Sequence, residues 1–585
     1  MWSAEEADSQ FDVQIEKSED GWRAQIGAAP AQVQIEGGVI AFDGPDGQSF
    51  TGKLSADGQT MEGRWLQPLS ALGYHETATP SYQGHVTPSY QEMVTPISLP
   101  AAGANRWRAT ITVQPRPYTV FLDIFEAEDA SVFAVIRNPE LNEIQGATRF
   151  RVLAETAGEW TLVAGEGDRE RRSKLTRKDD QILHLEHRRF EDGVLLRPAA
   201  ESDVNKYYSR PQTDAPARYT PPPHLNDGWE VATAEQVGVD RTHLDALVAD
   251  LASSDPRNRR PRMLHSMLVA YKGKLVFEEY FNGHTRNTPH DTRSLAKVFG
   301  PVLMGALRYK GDSISPEDRS ISGILQQAGE TLDHPRKADI TLAHLMSFSS
   351  GLDCDVNSDT SAGSEENMWR QEDELDFWLY TARLKSLYTP GERYAYCSGS
   401  INLVGASLRA AAGKPIIETF DDLIAKPLQF GPYHWDLAPN GAAYLGGGVY
   451  MRPRDILKVG AMHAAGGVWN GQRIVSKAWV TESTSAKIAI SPETTGLSPD
   501  DFSNNYFGGS QAYIWHVGKV TAGDRAYASY QATGNGGQVL VVIPELELVA
   551  ALTGGNYGMG GIWGRWRNEL IGGYIIPALT EHAEP

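Results

Sequence analysis

The apolar positions of this chain change period part-way along it. Up to about residue 205 they alternate over short runs, at 11–15, 33–36, 110–113, 132–136, 150–153, 160–163 and 182–186. Turn signals such as Asp43-Gly-Pro-Asp-Gly47 and Asp57-Gly58 separate them. Strict alternation buries one face of a strand, so this part predicts an all-β sandwich or barrel of short antiparallel strands. Thr79-Pro-Ser-Tyr-Gln83 returns as Thr87-Pro-Ser-Tyr-Gln91, an echo too short for a solenoid and read as a proline-punctuated loop. Pro211, Pro216 and Pro221-Pro-Pro223 then stiffen a stretch that cannot pack a core. A boundary near residue 220 follows, with an all-β domain over 1–220 and a second domain over 221–585.

Beyond the linker the period becomes helical. Leu244, Leu247, Val248 and Leu251 form one face of a helix that Asp240 can cap. Residues 265–271 and 274–280 around Lys272-Gly273 read as a β-hairpin. Leu295, Val298, Phe299, Val302, Leu303 and Leu307 mark a buried helix, with Asp291 and Thr292 as candidate caps. A helical, loop-rich middle follows. A second hairpin, 527–533 and 538–543, surrounds Gly534-Asn-Gly-Gly537; 549–553 extends the sheet, and a helical pattern closes the chain from 562 to about 576. The prediction is an α/β domain, an antiparallel sheet flanked by helices with a helical insert.

Composition narrows the function. A formal charge of −20 over 585 residues argues against a nucleic-acid partner, which would need a basic stripe. No apolar run reaches a membrane span; the best, 539–552, is broken by Pro544, Glu545 and Glu547. The two cysteines, Cys354 and Cys397, can form at most one bridge, and spacing does not decide it. The opening Met-Trp-Ser-Ala-Glu-Glu has neither a basic nor an apolar signal region. The expectation is a periplasmic or secreted protein if a leader has been removed, and a cytoplasmic one otherwise. His184 and His187 flank a strand without further ligands nearby, so no metal or cofactor is expected.

The candidate chemistry starts at Ser294-Leu-Ala-Lys297. A serine on the first turn of a helix and a lysine three residues on share a face. Neutral lysine can take the serine proton, and the helix N-terminus offers free N–H groups to an oxyanion. Four further stretches keep company with it: His344-Leu-Met-Ser-Phe-Ser-Ser-Gly-Leu352; Pro390-Gly-Glu-Arg-Tyr-Ala-Tyr-Cys-Ser-Gly-Ser-Ile-Asn-Leu-Val-Gly405; Gly446-Gly-Gly-Val-Tyr-Met-Arg-Pro-Arg-Asp455; and Gly534-Asn-Gly-Gly-Gln538. In this order, over about residues 230–580, they resemble the serine β-lactamase and penicillin-recognising superfamily. The resemblance is closest to the branch of class C β-lactamases, DD-carboxypeptidases, β-lactamase-fold esterases and 6-aminohexanoate-oligomer hydrolases. The β-rich first region resembles the barrel-like appendage of some such hydrolases.

The resemblance implies Ser294 as acylating nucleophile, Lys297 as its base partner and Tyr396 as the tyrosine that shares proton transfer, with Tyr394 as rival. A free ammonium or phenol is no base at neutral pH, but two such groups sharing one proton in a poorly solvated cleft can be. The N–H groups of Ser294 and Asn535 would form the oxyanion hole, with Ser398, Gly534 and Gly536 as substrate-binding or supporting positions. The motifs around His344 and Gly446 read as scaffold, and Trp369, Trp378, Tyr388 and Trp515 as core or cleft aromatics. Two departures stand out. The family Tyr-x-Asn is here Tyr396-Cys-Ser398, and the cationic Lys- or His-Thr-Gly is the uncharged Gln531-Ala-Thr-Gly534. Without that cation to grip a carboxylate, the expectation is a serine hydrolase of small carboxylic esters, with small or oligomeric amides (D-amino-acid peptides or β-lactams among them) as the alternative. A binding or scaffold protein that kept the fold would not need all three side chains. No Gly-x-Ser-x-Gly elbow, His-Glu-x-x-His motif or phosphate loop points elsewhere. The oligomeric state is open.

Overall fold

The computed structural model describes residues 1–580, apart from 5–9, 20, 69–91, 113–118, 141–148, 168–169, 188–189, 212, 214, 259–261, 506–507 and 560. The echo at 79–91 lies outside the described residues.

Eight antiparallel strands form the sheet of the C-terminal half, in the order Lys274–Tyr280, Leu264–Tyr271, Leu548–Gly554, Gln538–Ile543, Arg525–Gly534, His516–Ala522, Ser510–Gln511 and Ile488–Ala489. Its central strands are buried on both faces, and alternate residues feed two cores. Leu268, Ala270, Leu540, Val542, Val549 and Ala551 join one. Met267, Val269, Val539, Val541, Leu548 and Ala550 join the other. The first core is covered by helices Phe299–Lys310, Ser398–Ala412 and Pro453–Ala464, and the second by Arg241–Ala252 and the C-terminal helical run. The predicted details hold. Asp240 accepts from the Thr242 N–H at 2.7 Å, and Leu244, Leu247, Val248 and Leu251 are buried. Lys272 and Gly273 both take positive φ, as a two-residue hairpin turn requires. The Cys354–Cys397 question is answered by a disulfide.

The N-terminal region contains a barrel, one of the two predicted architectures, and beside it an open sheet rather than a sandwich. Strands Trp2–Ala4, Val120–Glu126, Val132–Arg137, Arg149–Thr156, Glu159–Ala164, Arg171–Asp179, Ile182–His187 and Phe190–Pro198 close into a barrel around Leu122, Leu162, Leu175, Leu185 and Leu196. The other strands form an open sheet around Ile15, Phe50, Trp65 and Trp107. That sheet does not end within the N-terminal region. Its strand Glu92–Gly103 pairs with His434–Asp436, which pairs with Val449–Met451, which pairs with His290–Asp291. A ladder of backbone hydrogen bonds thus runs from the first region to the residues just before Ser294.

Candidate active site

The segment carrying Ser294 opens differently from the regular helix the spacing predicts. Arg293–Val298 is a 3₁₀ turn, and the α-helix Phe299–Lys310 follows. In a 3₁₀ turn residues three apart eclipse, so the Ser294 and Lys297 side chains stand one above the other. Lys297 Nζ lies 2.8 Å from Ser294 Oγ, and Lys297 is only 1% exposed. Its second partner is the Gly446 carbonyl. The glycine run is therefore more than scaffold: it supplies an acceptor that holds the lysine. The amides of Leu445 and Gly446 are in turn fixed on Asn402 Oδ1 at 3.1 and 3.2 Å.

Of the candidate caps, Asp291 Oδ1 accepts the Arg293 N–H at 2.9 Å. Thr292 instead sends both its N–H (3.0 Å) and its hydroxyl (2.7 Å) to the Val449 carbonyl. Arg293, immediately before the nucleophile, has φ +48°. Phe348 (φ +54°) and Ile514 (φ +66°), two walls of the same pocket, are also left-handed. Such conformations cost energy in non-glycine residues and persist where the surroundings hold them.

Ser294 opens into a cavity of about 310 Å³ that is also lined by Tyr394, Tyr396, Gly534 and Asn535. The Lys297 ammonium lies 5.1 Å from the centre of the Tyr396 ring. Among the described residues the phenol makes no hydrogen bond to Ser294 or Lys297. Tyr394, 6% exposed, packs on Phe348. Neither the Ser294 nor the Asn535 N–H is taken up by a hydrogen bond among the described residues, so both are open to an oxyanion. Asn535 is held by its side chain, whose Oδ1 accepts the Gly558 N–H at 2.9 Å.

Two supporting positions lie elsewhere. Ser398 is fully buried, and its hydroxyl donates to Glu365 at 3.3 Å, so it reaches the cavity only through that carboxylate. Gly536, with φ +95°, serves the turn, and a Cβ there would sit 2.9 Å from the Gly554 carbonyl oxygen. Nor do Trp369, Trp378, Tyr388 and Trp515 line the cavity; among the described residues its Phe, Tyr and Trp side chains are Phe348, Tyr394, Tyr396 and Trp563.

The largest surprise in the site is its charge. Glu365 and Glu366 line one part, with Glu365 held by the Tyr444 hydroxyl at 2.5 Å and the Glu366 carboxyl pushed up by burial. Arg567 lines it as well, at the start of a π-helical stretch, Arg567–Ile575. Its Nε is buried without a hydrogen-bond partner, and burial lowers its pKa. The neighbouring His516 is also driven down by burial; its Nε2–H donates to the Gly508 carbonyl at 2.8 Å, and Gln531 donates to Nδ1 at 3.1 Å. A cation missing at the Gln531-Ala-Thr-Gly motif thus enters from the C-terminal helical run, which no local motif could have signalled.

The Beta-lactamase family model matches residues 249–558, and the chain belongs to that family. A 6-aminohexanoate-dimer hydrolase of Paenarthrobacter ureafaciens is 25% identical over 312 residues, 52% of this chain and 76% of that protein. Among solved structures, a Bacillus anthracis protein provisionally assigned as a 6-aminohexanoate-dimer hydrolase has 17% identity and a TM-score of 0.45, covering 63% of this chain and 92% of its own. A family VIII carboxylesterase has 16% identity and a TM-score of 0.39, covering 50% and 87%. The chain is a hydrolase of the β-lactamase fold, a family that includes esterases and amide hydrolases. Among the described residues no helix is long and apolar enough to cross a membrane.

Proposed function

We propose that the protein is a serine hydrolase that works through an acyl-enzyme on small carboxylic esters. The observation that carries this reading is the 2.8 Å approach of Lys297 Nζ to Ser294 Oγ at the floor of a cavity that Tyr396 also lines. Ser294 attacks the acyl carbon. Its proton passes to the Lys297/Tyr396 pair, which returns it to the leaving alcohol. The Ser294 and Asn535 N–H groups hold the oxyanion. Water then repeats the sequence on the acyl-enzyme and releases the acid.

One observation favours a second reading, on amides that carry a free carboxylate. The buried Nε of Arg567 lacks a partner, and a carboxylate is the natural one. The similarity to an amide hydrolase supports the same direction.

The test is a panel of p-nitrophenyl esters, nitrocefin, D-alanyl peptides and linear amide oligomers, run alongside fluorophosphonate labelling. Adduct on Ser294, loss of turnover in Ser294→Ala and at least about a hundred-fold loss in Tyr396→Phe are expected. Undiminished turnover in Tyr396→Phe assigns the role to Tyr394. Efficient turnover of amides without esters refutes the ester reading. If the second reading holds, Arg567→Gln raises KM for carboxylate-bearing substrates and leaves neutral esters alone.

A further inference from the structure

Behind the nucleophile segment, three histidines from separate stretches of the chain converge. His265 lies on strand Leu264–Tyr271, His284 follows strand Lys274–Tyr280, and His290 begins the strand that leads to Ser294. One ring nitrogen from each lies within 4.8 Å of the others. His265 and His290 are 0% and 5% exposed. The His284 ring stacks on His265 with centroids 3.8 Å apart.

The hydrogen bonds around them pose a problem of protons. His265 Nε2 lies 2.8 Å from the Pro139 carbonyl oxygen, and His290 Nδ1 lies 2.9 Å from the Asp291 carbonyl oxygen. A carbonyl oxygen only accepts, so each of these nitrogens carries the hydrogen. In a neutral imidazole the other nitrogen is then bare. Those other nitrogens, His265 Nδ1 and His290 Nε2, face each other at 2.7 Å. Two lone pairs would meet at hydrogen-bond distance with nothing between them. Committing the distal N–H to a backbone carbonyl while the proximal lone pair points inward is how metal-binding histidines are oriented.

From this we infer that His265 Nδ1, His290 Nε2 and a ring nitrogen of His284 bind one divalent transition-metal ion of the zinc type. Imidazole suits zinc, copper and nickel ions, whereas calcium and magnesium prefer oxygen. Zinc–nitrogen bonds of about 2.0–2.1 Å in a tetrahedron place ligand nitrogens roughly 3.3 Å apart. The facing pair therefore opens slightly, and the half-buried His284 turns inward. Water fills the fourth position. Arg137 and Arg293 lie near enough to oppose a dication, and Asp291 favours it, so the three imidazoles must supply the affinity. The ion would tie the strand carrying His265 to the His290–Ser294 segment, with the Pro139 carbonyl of the N-terminal region bracing His265. Its role is to hold that segment; the reaction above does not pass through it.

The experiment uses the full-length protein, stripped with a chelator and dialysed, then titrated with zinc ions. One equivalent bound, a melting temperature raised by several degrees, and both effects lost in His284→Ala are expected. A copper-substituted wild-type sample should show superhyperfine splitting from at least two nitrogens by electron paramagnetic resonance, which needs no variant to fold. Zinc that neither binds stoichiometrically nor shifts melting would overturn the site and leave a shared proton between His265 and His290. Binding unchanged in a folded His284→Ala protein assigns the ion to surface histidines and likewise overturns it.

Discussion

Replacing Gly534 with alanine probes the oxyanion hole without touching a reacting group. An ideal Cβ at 534 would stand 2.3 Å from the Thr292 carbonyl oxygen and 3.1 Å from the Cβ atoms of Arg293 and Gln538. Ordinary contact demands a separation roughly 1 Å larger. Neither side gives easily. Thr292 is anchored twice on the Val449 carbonyl, and Gly534 is paired with Gln538 across the hairpin. The strain therefore widens the gap between strand Arg525–Gly534 and the nucleophile turn. That gap sets the spacing of the Ser294 and Asn535 amides. A misplacement of about 1 Å costs on the order of 100-fold in rate, and loss of one oxyanion donor about 100- to 1000-fold. Burst kinetics on p-nitrophenyl butyrate should show kcat/KM falling about 100-fold, mostly in kcat, with the fold retained by circular dichroism. Gly323→Ala, where a Cβ meets nothing within 4 Å, is the control and should match wild type. A Gly534→Ala enzyme within two-fold of wild type, with a full burst, would refute the two-amide arrangement.

Two further perturbations read other parts of the molecule. The Cys354–Cys397 bridge spans a separation of 43 residues, so its removal in a Cys354→Ser/Cys397→Ser variant should cost about 4 kcal/mol in a urea titration. Activity should fall too, because Cys397 follows Tyr396, whose carbonyl holds the Val356 N–H; an unchanged midpoint would show that the loop is ordered without it. His463 is buried with Nδ1–H on the Val459 carbonyl, and burial pulls its pKa down to about 4. The unfolded chain takes up that proton near pH 6.5 and the folded one only near 4, so stability should fall as pH drops through this window, by about 3 kcal/mol in all. The same acid limb in a folded His463→Leu variant would exclude His463 as its source.

What the sequence discloses here is what local periodicity controls. The helix behind Asp240 and both hairpins follow from the spacing of apolar residues and from turn residues that tolerate positive φ. Ser294, Lys297, Tyr396 and Asn535 reach one region because each sits in a stretch with its own signature. The remainder depends on contacts between distant segments, which leave no periodic trace. Arg567 looks like any polar residue in a closing helix, yet its place in the cavity is set by how that helix packs across the sheet. Three isolated histidines carry no ligand spacing until two strands and a turn bring them together. Ser398 shows the converse: it sits in a motif, but it is buried, and its hydroxyl meets the cavity only through Glu365, a contact no local spacing signals.

The N-terminal region illustrates the same limit with more at stake for the site. From alternation alone it resembles a separate appendage, and its own cores are complete. Yet strand Glu92–Gly103 lends its edge to His434–Asp436 through the Val94–Trp435 and Met93–Asp436 pairs, with Thr95 hydrogen-bonded to His434 at 2.7 Å. Without that neighbour, His434–Asp436 would be an open edge, its N–H and C=O groups unpaired. The next strand holds Tyr450 against both His434 and Asp291, and the Val449 carbonyl takes both bonds from Thr292. Backbone pairing is directional and short-range, so a shift at one strand must be absorbed by its neighbour or break the ladder. Here the last neighbour is the turn that aims the nucleophile. The first region therefore bears on the geometry of Ser294 through the peptide backbone itself, while none of its described residues lines the cavity.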